Sequence, residues 1–564
     1  MKQSDIDKML LELAPLPAVK TKPPSNKKLK KLAILDFETD SFKHGRVPRP
    51  FAADLFDGEK HHVFWGRDCI DQLNDFLNEA KDTFIIYAHN GGKFDFFFLL
   101  VQGLLKSPIR IINGRLVKAT IGKHELRDSY AILPMPLSAY KKDDIDYTWF
   151  EEGEYQKHEQ KITDYLKSDC VYLYDLVNAF RERFGDKLTI GSTAIEKLRE
   201  LHPFESINQM TDSKIRPFYF GGRVECFAYG MIEKHLKIYD VNSMYPSVMK
   251  NYNHPCGFSY THAYYDKQIK ANGDLIGKDK DKIYFVHFTG SNNGALPVRA
   301  KWGLDFNQSY GEFLACSHEI KVALKHNLIK IDKIHEILIA NESINFSDFV
   351  DTYHAERRKC KDSKDKIGEI FAKFILNSSY GKTGQNPDSY KDYMIRFKGE
   401  KLPDLEMWDL FADYGDFEIW DKPVKMKTYF DVAIAASVTS AARSILLEAI
   451  QNANGLVYCD TDSLICESFN GEEHESELGK WKLEAEGDLM AIAGKKLYAL
   501  FDKNNECVKL ATKGVRLTPN DIVSVAKGEK VVWQNDAPSF SLLGETNFIK
   551  RTIQIVKRER VLNE

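Results

Sequence analysis

The chain has 564 residues, 43% of them hydrophobic and 12% aromatic, with a formal net charge of −3. That is material for roughly three or four domains with large buried cores, and it excludes a disordered chain. The near-neutral total argues mildly against a nucleic-acid binder, but clustered metal-binding carboxylates would offset basic grooves in the sum. The nine cysteines are irregularly spaced, with no C-x-x-C pair, which reads as a reduced, cytoplasmic chain without disulfides or zinc knuckles. Five His-Glu pairs occur, among them His318-Glu319 and His335-Glu336, and none extends to H-E-x-x-H. A phosphate-binding G-x-x-x-x-G-K-[ST] loop is also missing, which excludes a P-loop ATPase or helicase.

Residues 1–30 read as a flexible Pro- and Lys-rich tail, with a short amphipathic helix over Ile6 to Leu13. No secretory signal is expected there, and no apolar run of about 18 residues suggests a membrane span. From Leu32 to Leu35 an apolar run predicts a buried strand carrying Asp36-Phe37-Glu38 at its end. Alternation puts Asp36 and Glu38 on one face, where adjacent carboxylates repel unless cations lie between them. A second strand, Phe84 to Tyr87, leads through His89-Asn90-Gly91-Gly92-Lys93-Phe94-Asp95 into a buried helix over Phe96 to Val101. Asn90 and Asp95 can then both reach a site above the sheet. Next comes Asp128-Ser129-Tyr130, followed by Lys141 and Lys142. Tyr165 and Asp169 stand four apart in a helical pattern, so they share a face.

Farther along, Leu236 to Val241 alternates like a strand and delivers Asp240 to a turn closing on Tyr245-Pro246. Tyr245 would lie under an incoming sugar, where its ring excludes a 2′-hydroxyl. Lys366, Lys373, Asn377 and Tyr380 fall on one helical face, and a cationic stripe ending in Tyr380-Gly381 suits a triphosphate plus a base. Leu456 to Cys459 reads as a strand ending in Asp460-Thr461-Asp462-Ser463, a hairpin with two acids at its tip. Three acids at the ends of apolar strands are costly to hold close without metal.

Each piece alone is an ordinary strand end or solvated face; the order and spacing carry the reading. D-x-E, N-x-x-x-x-D and Y-x-x-x-D resemble the three exonuclease motifs of DnaQ-like proofreading domains. D-x-x-S-[LM]-Y-P, K-x-x-x-N-S-x-Y-G and Y-x-D-T-D-S resemble family B DNA polymerases, in that order. Within that family the likeness is to the protein-primed branch of small phages and linear plasmids, nearest the tailless internal-membrane phage type. Tyr219-Phe220-Gly221-Gly222 resembles its Y-x-G-G segment and Lys496-Leu497-Tyr498 its K-x-Y segment, and the spacers between polymerase motifs match its two insertions.

The resemblance implies a mixed α/β, multidomain fold: an RNase H-like exonuclease domain joined to a right-hand polymerase. Its expected divisions are a tail (1–30), exonuclease (31–190), palm start (191–249), first terminal-protein-region insertion (250–350), fingers (351–385), second insertion (386–430), palm (431–499) and thumb (500–564). It implies two Mg²⁺ ions per active site, with Mn²⁺ as a substitute. Asp36, Glu38, Asp95 and Asp169 would hold one pair, with Tyr165 positioning water and Lys142 assisting. Asp240, Asp462 and the Val241 carbonyl would hold the other, with Asp460 beside them. Lys366, Lys373, Asn377, Tyr380 and Tyr245 would bind the dNTP. Asn90, Phe94, Ser129, Tyr130, Tyr219, Gly221, Gly222, Lys496 and Tyr498 would contact DNA.

The implied activity is DNA-directed DNA synthesis from a terminal-protein hydroxyl, with strand displacement and 3′→5′ proofreading, in the cytoplasm of an infected host. DNA template and primer, dNTPs, the terminal protein and a single-stranded DNA-binding protein are the expected partners. A conventional nucleic-acid-primed family B polymerase is the alternative. A non-catalytic relative is opposed by the presence of all seven acids, and a pure exonuclease by Lys373 and Asp462.

Overall fold

The computed structural model describes residues 30–40, 47–257, 259–263, 282–387, 390–401, 404–424, 431–535, 539–543, 546–547 and 549–555. The expected tail, apart from Lys30, and its short helix lie outside these. The first unit is built on strand Lys31–Thr39, which pairs in parallel with Phe84–Ala88 and antiparallel with Pro50–Phe56. The alternation expected of a strand is observed. Leu32 and Ile34 pack with Cys170, Leu173 and Val177 of helix Glu159–Phe184. Ala33, Leu35 and Phe37 face the opposite way, toward Ile70, Leu73 and Phe96. This strand continues through Asp36 and Glu38 to Thr39, so the two acids sit within it rather than beyond its end.

The sheet is wider than the exonuclease segment alone. Its ten strands run in the order 409–413, 417–423, 391–397, 105–112, 115–121, 124–128, 84–88, 31–39, 50–56 and 61–65. Three of them therefore come from the segment expected as the second insertion, joined where Tyr393 opposes Ile109.

The second unit has a five-stranded sheet, in the order 481–487, 236–241, 463–466, 458–460, 224–226. Helix Val432–Asn452 packs against it. This helix is long and apolar enough to cross a membrane by length and composition, with mean hydropathy 1.4, yet 89% of its apolar window is buried inside the protein. Its one deeply buried charge, Arg443, donates to both carboxylate oxygens of Glu319 at 2.8 and 2.6 Å. The same guanidinium donates to the carbonyls of Phe220 and Gly221, both at 2.7 Å.

Helices Ser347–Asp362 and Lys366–Thr383 pack against each other and against helices Met244–Asn251 and Val432–Asn452. The Asp365 side chain caps the second helix by accepting from Gly368 N, satisfying one of its open amides. The first-insertion segment holds a four-stranded sheet, in the order 260–263, 329–340, 284–292, 310–316, backed by helix Ser317–Lys325. Strands 507–512, 497–501, 489–494 and 230–232 make one further sheet against helix Pro519–Ala526. The palm–thumb division expected at 499/500 thus falls inside strand Leu497–Phe501.

Two candidate carboxylate centres

In the first unit, Asp36 and Glu38 share the strand face covered by helix Glu159–Phe184, which supplies Tyr165 and Asp169. Asp95 opens helix Asp95–Val101, and its Oδ1 accepts from Phe37 N at 3.3 Å. Burial, then the neighbouring Asp95, Glu38 and Asp169, holds Asp36 well above the usual carboxylate range. Burial and Asp169 push Glu38 up to about 8, and burial pushes Asp95 up to about 7. Asp169 is raised chiefly by burial, and its Oδ1 is buried with no hydrogen-bond partner among the described residues. Lys142 lies 5.8 Å from the ring centres of both Tyr165 and Tyr147. Burial lowers its pKa, but Tyr147, Asp169 and Glu38 together raise it further. Lys141 instead lies over Tyr140 and Tyr172, away from these acids.

The strip expected to meet single-stranded DNA is organised by a residue that sequence reading missed. Arg115 Nη1 donates to Asn90 Oδ1 and to Asp128 Oδ2, each at 2.7 Å, and its guanidinium lies 4.5 Å over the Tyr130 ring. The Asn113-Gly114 turn before it is a hairpin signal that could have placed it. Asn90 takes a left-handed backbone with φ 60°. Gly92 must lack a side chain, because a Cβ there would stand 2.1 Å from the Leu116 carbonyl oxygen.

One DNA-contact expectation, Ser129, changes here. Ser129 is fully buried, its hydroxyl 3.2 Å from Ala88 O and 3.0 Å from His89 Nδ1, so it anchors the turn. Phe94 is half-buried and packs on Phe98 and Phe540 at 5.1 and 5.6 Å.

The second centre lies at the palm sheet. Asp240 pairs with Ser463 across the strands, and Val241 N donates to the Asp462 carbonyl at 2.8 Å, so backbone pairing joins the two acidic segments. Burial, then Asp462 and Glu484, pushes Asp240 up to about 7; burial pushes Asp462 up to about 6. Glu484, on the neighbouring strand Trp481–Gly487, was not anticipated.

Asp460 differs. Lys496 Nζ lies 2.5 Å from both its oxygens, and Tyr458 OH lies 3.3 Å from its Oδ2. The K-x-Y segment is thereby tied to the middle acid. Tyr498 is buried and packs on Tyr458 at 5.1 Å, so its ring is part of the core rather than an exposed DNA contact.

Around these acids the expected nucleotide residues separate. Tyr245 and Tyr380 come together, stacked at 4.3 Å and 22°. Lys373 and Asn377 are exposed on the same helix as Tyr380. Lys366 turns away: its amine donates to Tyr140 O at 2.7 Å, because the first turn of that helix abuts the exonuclease unit. Other cations, not singled out in the sequence, share a cavity with the turn after Asp240. A cavity of about 410 Å³ is lined by Asn242, Ser243, Arg357, Arg358 and Lys361, with Asp362, Glu369 and Glu475 also in its wall.

The Y-x-G-G segment abuts the acidic hairpin. A Cβ on Gly222 would stand 2.8 Å from Thr461 Oγ1, and Thr461 N donates to Arg223 O at 2.6 Å. Tyr219 packs on Gly384 just after the helix ending at Thr383, and its carbonyl accepts from Arg299 at 2.7 Å.

Both centres fit divalent cations. Their donors are hard carboxylate oxygens, their protons are held by burial and mutual repulsion, and one buried oxygen is orphaned. Among the described residues, no three donors of these acids all lie within 4.8 Å of one another.

An RNase H-like sheet and a palm sheet, each bearing buried acids, define a multidomain polymerase fold with an exonuclease-like unit. Residues 81–431 match the family model for DNA polymerase type B, organellar and viral. The chain is 43% identical to the DNA-directed DNA polymerase of Enterobacteria phage PRD1, over 94% of this chain and 99% of that one. It is 25% identical to the DNA polymerase of Streptococcus phage Cp-1, over 86% and 87% respectively. Phi29 DNA polymerase, solved with primer-template DNA and incoming nucleotides, matches with TM-score 0.70 at 16% identity, covering 93% of this chain and all of that one; this last likeness carries the fold. The chain belongs to the organellar and viral type B DNA polymerases. It is a DNA-directed DNA polymerase, of a family that uses divalent metals, and the resemblance expected from its motifs is borne out.

Proposed function

We propose that this polymerase starts replication of a linear genome on a hydroxyl of a terminal protein, continues with strand displacement, and edits its product by 3′→5′ hydrolysis. The observation that carries the two-activity reading is that seven acids form two separate centres, with burial raising the proton affinity of Asp36, Glu38, Asp95, Asp169, Asp240 and Asp462. Asp240, Asp462 and the Val241 carbonyl would hold Mg²⁺, and Mn²⁺ is expected to replace it. Bound there, the ions supply charge neutralisation for phosphoryl transfer and a more acidic hydroxyl.

The chain's own residues do the rest. Lys496 holds Asp460 in one rotamer beside the centre. Lys373, with Arg357, Arg358 and Lys361, receives the triphosphate. The stacked Tyr245–Tyr380 pair makes a floor for the new base pair and leaves no room for a 2′-hydroxyl. In the exonuclease centre, Tyr165 and Lys142 orient water toward the scissile phosphate between Asp36, Glu38, Asp95 and Asp169. Asn90 and Tyr130, fixed by Arg115, hold the frayed 3′ end, and Phe94 packs beside it.

The insertions, 250–350 and 386–430, would seat the terminal protein and wrap DNA. A single-stranded DNA-binding protein would cover the displaced strand, and the work would take place in the host cytoplasm. The deciding experiment incubates the protein with extract of its native source, Mg²⁺ and one labelled dNTP at a time. A labelled band that survives boiling and vanishes with protease supports protein priming. Its absence, with an ordinary primer-template extended, favours the nucleic-acid-primed alternative.

A further inference from the structure

The sheet of the first insertion carries a group of side chains that the polymerase and exonuclease chemistry leaves unused. Neighbouring strands Tyr284–Asn292, Tyr310–Cys316 and Ile329–Ala340 bring His287, Glu312 and His335 together on one face. His287 Nε2 lies 3.0 Å from Glu312 Oε2, and the His287 and His335 ring centres are 4.7 Å apart. One donor atom from each of the three lies within 4.8 Å of the others, the one such trio among the described residues.

The backbone explains the convergence. His287 opposes Glu336 while Phe288 opposes Ile334, so His335 is the extra residue of a β-bulge and crowds onto the His287 side. Thr289, two residues along from His287, places its hydroxyl 2.7 Å from His335 Nε2 and steadies that ring. An ordinary ion pair accounts for His287 with Glu312, but not for a second imidazole brought against the first, since two imidazolium rings there would repel.

We infer that His287, His335 and Glu312 form a binding site for one borderline divalent metal ion of the Zn²⁺ class, clamping three strands of the first insertion. Two imidazoles and a carboxylate suit such an ion rather than Mg²⁺, which prefers oxygen donors. Ligands on a tetrahedral ion with bonds of about 2.0–2.1 Å stand roughly 3.3 Å apart, a modest closing of the trio by side-chain rotation. Three protein donors leave the fourth position to water.

The test uses the full chain with Mg²⁺ in large excess, so that the carboxylate centres are filled, and titrates Zn²⁺ against a chromophoric chelator. One equivalent of Zn²⁺ should be taken up, and His335→Ala and Glu312→Gln should each weaken it by more than the roughly 10–100-fold that even outer-shell partners are worth. His326→Ala, a histidine paired with Glu448 elsewhere, should leave it unchanged. The Glu312 side chain is 66% exposed, so Glu312→Gln keeps the fold, and extension of a primed template by each variant confirms this. Equal uptake by wild type, His335→Ala and Glu312→Gln, or no uptake by any of them, would overturn the site.

Discussion

Asp460 and Lys496 show how one contact sets a residue's job. Asp460 stands beside two acids whose protons are pushed up, yet it alone has an amine on both of its oxygens. Lys496→Ala should therefore release Asp460 and cut primer extension at least about tenfold, the scale of a lost charge-assisted contact of roughly 1.5–3 kcal/mol, while degradation of single-stranded DNA is unchanged. Asp460→Ala should abolish synthesis and spare degradation, and Asp36→Ala with Glu38→Ala should do the reverse; parallel extension and degradation assays read both. The identities of these acids were legible because strand periodicity and motif spacing survive in one dimension. The partners of Asp460, Asn90 and Tyr130 were not, since Lys496 and Arg115 reach them only through pairing of distant strands. Lys366 shows the limit from the other side: helical spacing placed it correctly on a face, but only packing decides that the face's first turn meets Tyr140.

Elements add a thermodynamic consequence. Glu38 has its proton affinity raised to about 8 in the folded, cation-free protein, against about 4.3 when unfolded. Between those values the folded state binds more protons than the unfolded one, so stability falls as pH rises through this window. In chelator the melting temperature should drop from pH 5 to pH 8, and added Mg²⁺ should raise it more at pH 8 than at pH 5; scanning calorimetry checks both. The buried helix Val432–Asn452 makes a second case. Glu319→Ala strips Arg443 of its carboxylate in a site where both side chains are 2% exposed, which should cost about 3–5 kcal/mol in denaturant unfolding. Extension should suffer more than degradation, because Arg443 also holds the carbonyls of Phe220 and Gly221 beside the acidic hairpin.

At the scale of the molecule, distant parts of the chain close on one another. Phe540 lies 4.3 Å from Phe97, and Tyr414 OH donates to Leu542 O at 3.0 Å, so the C-terminal region rests on the exonuclease unit and the second insertion. Elsewhere Arg183 pairs with Asp365 at 2.8 Å, linking helix Glu159–Phe184 to the expected fingers. Such contacts tie segments far apart in the sequence to one another. Phe540→Ala should loosen that tie and shorten the DNA made per binding event, measured with a trap for released enzyme, without changing single-nucleotide insertion. None of this closure was readable from motifs, which are local, whereas the apolar residues that make it are scattered singly through the chain.

The ten-stranded sheet has a practical corollary for dissecting the protein. A fragment ending near residue 190 would keep every exonuclease motif but lose the strands at 391–397, 409–413 and 417–423. Strand Leu105–Ile112, with Ile109 and Ile111 buried in the whole chain, would then be left as a bare rim with open amides and carbonyls, a template for pairing with copies of itself. Such a piece should precipitate or form oligomers more readily than the intact chain, so the proposed editing is to be studied by silencing the palm acids and not by cutting the gene.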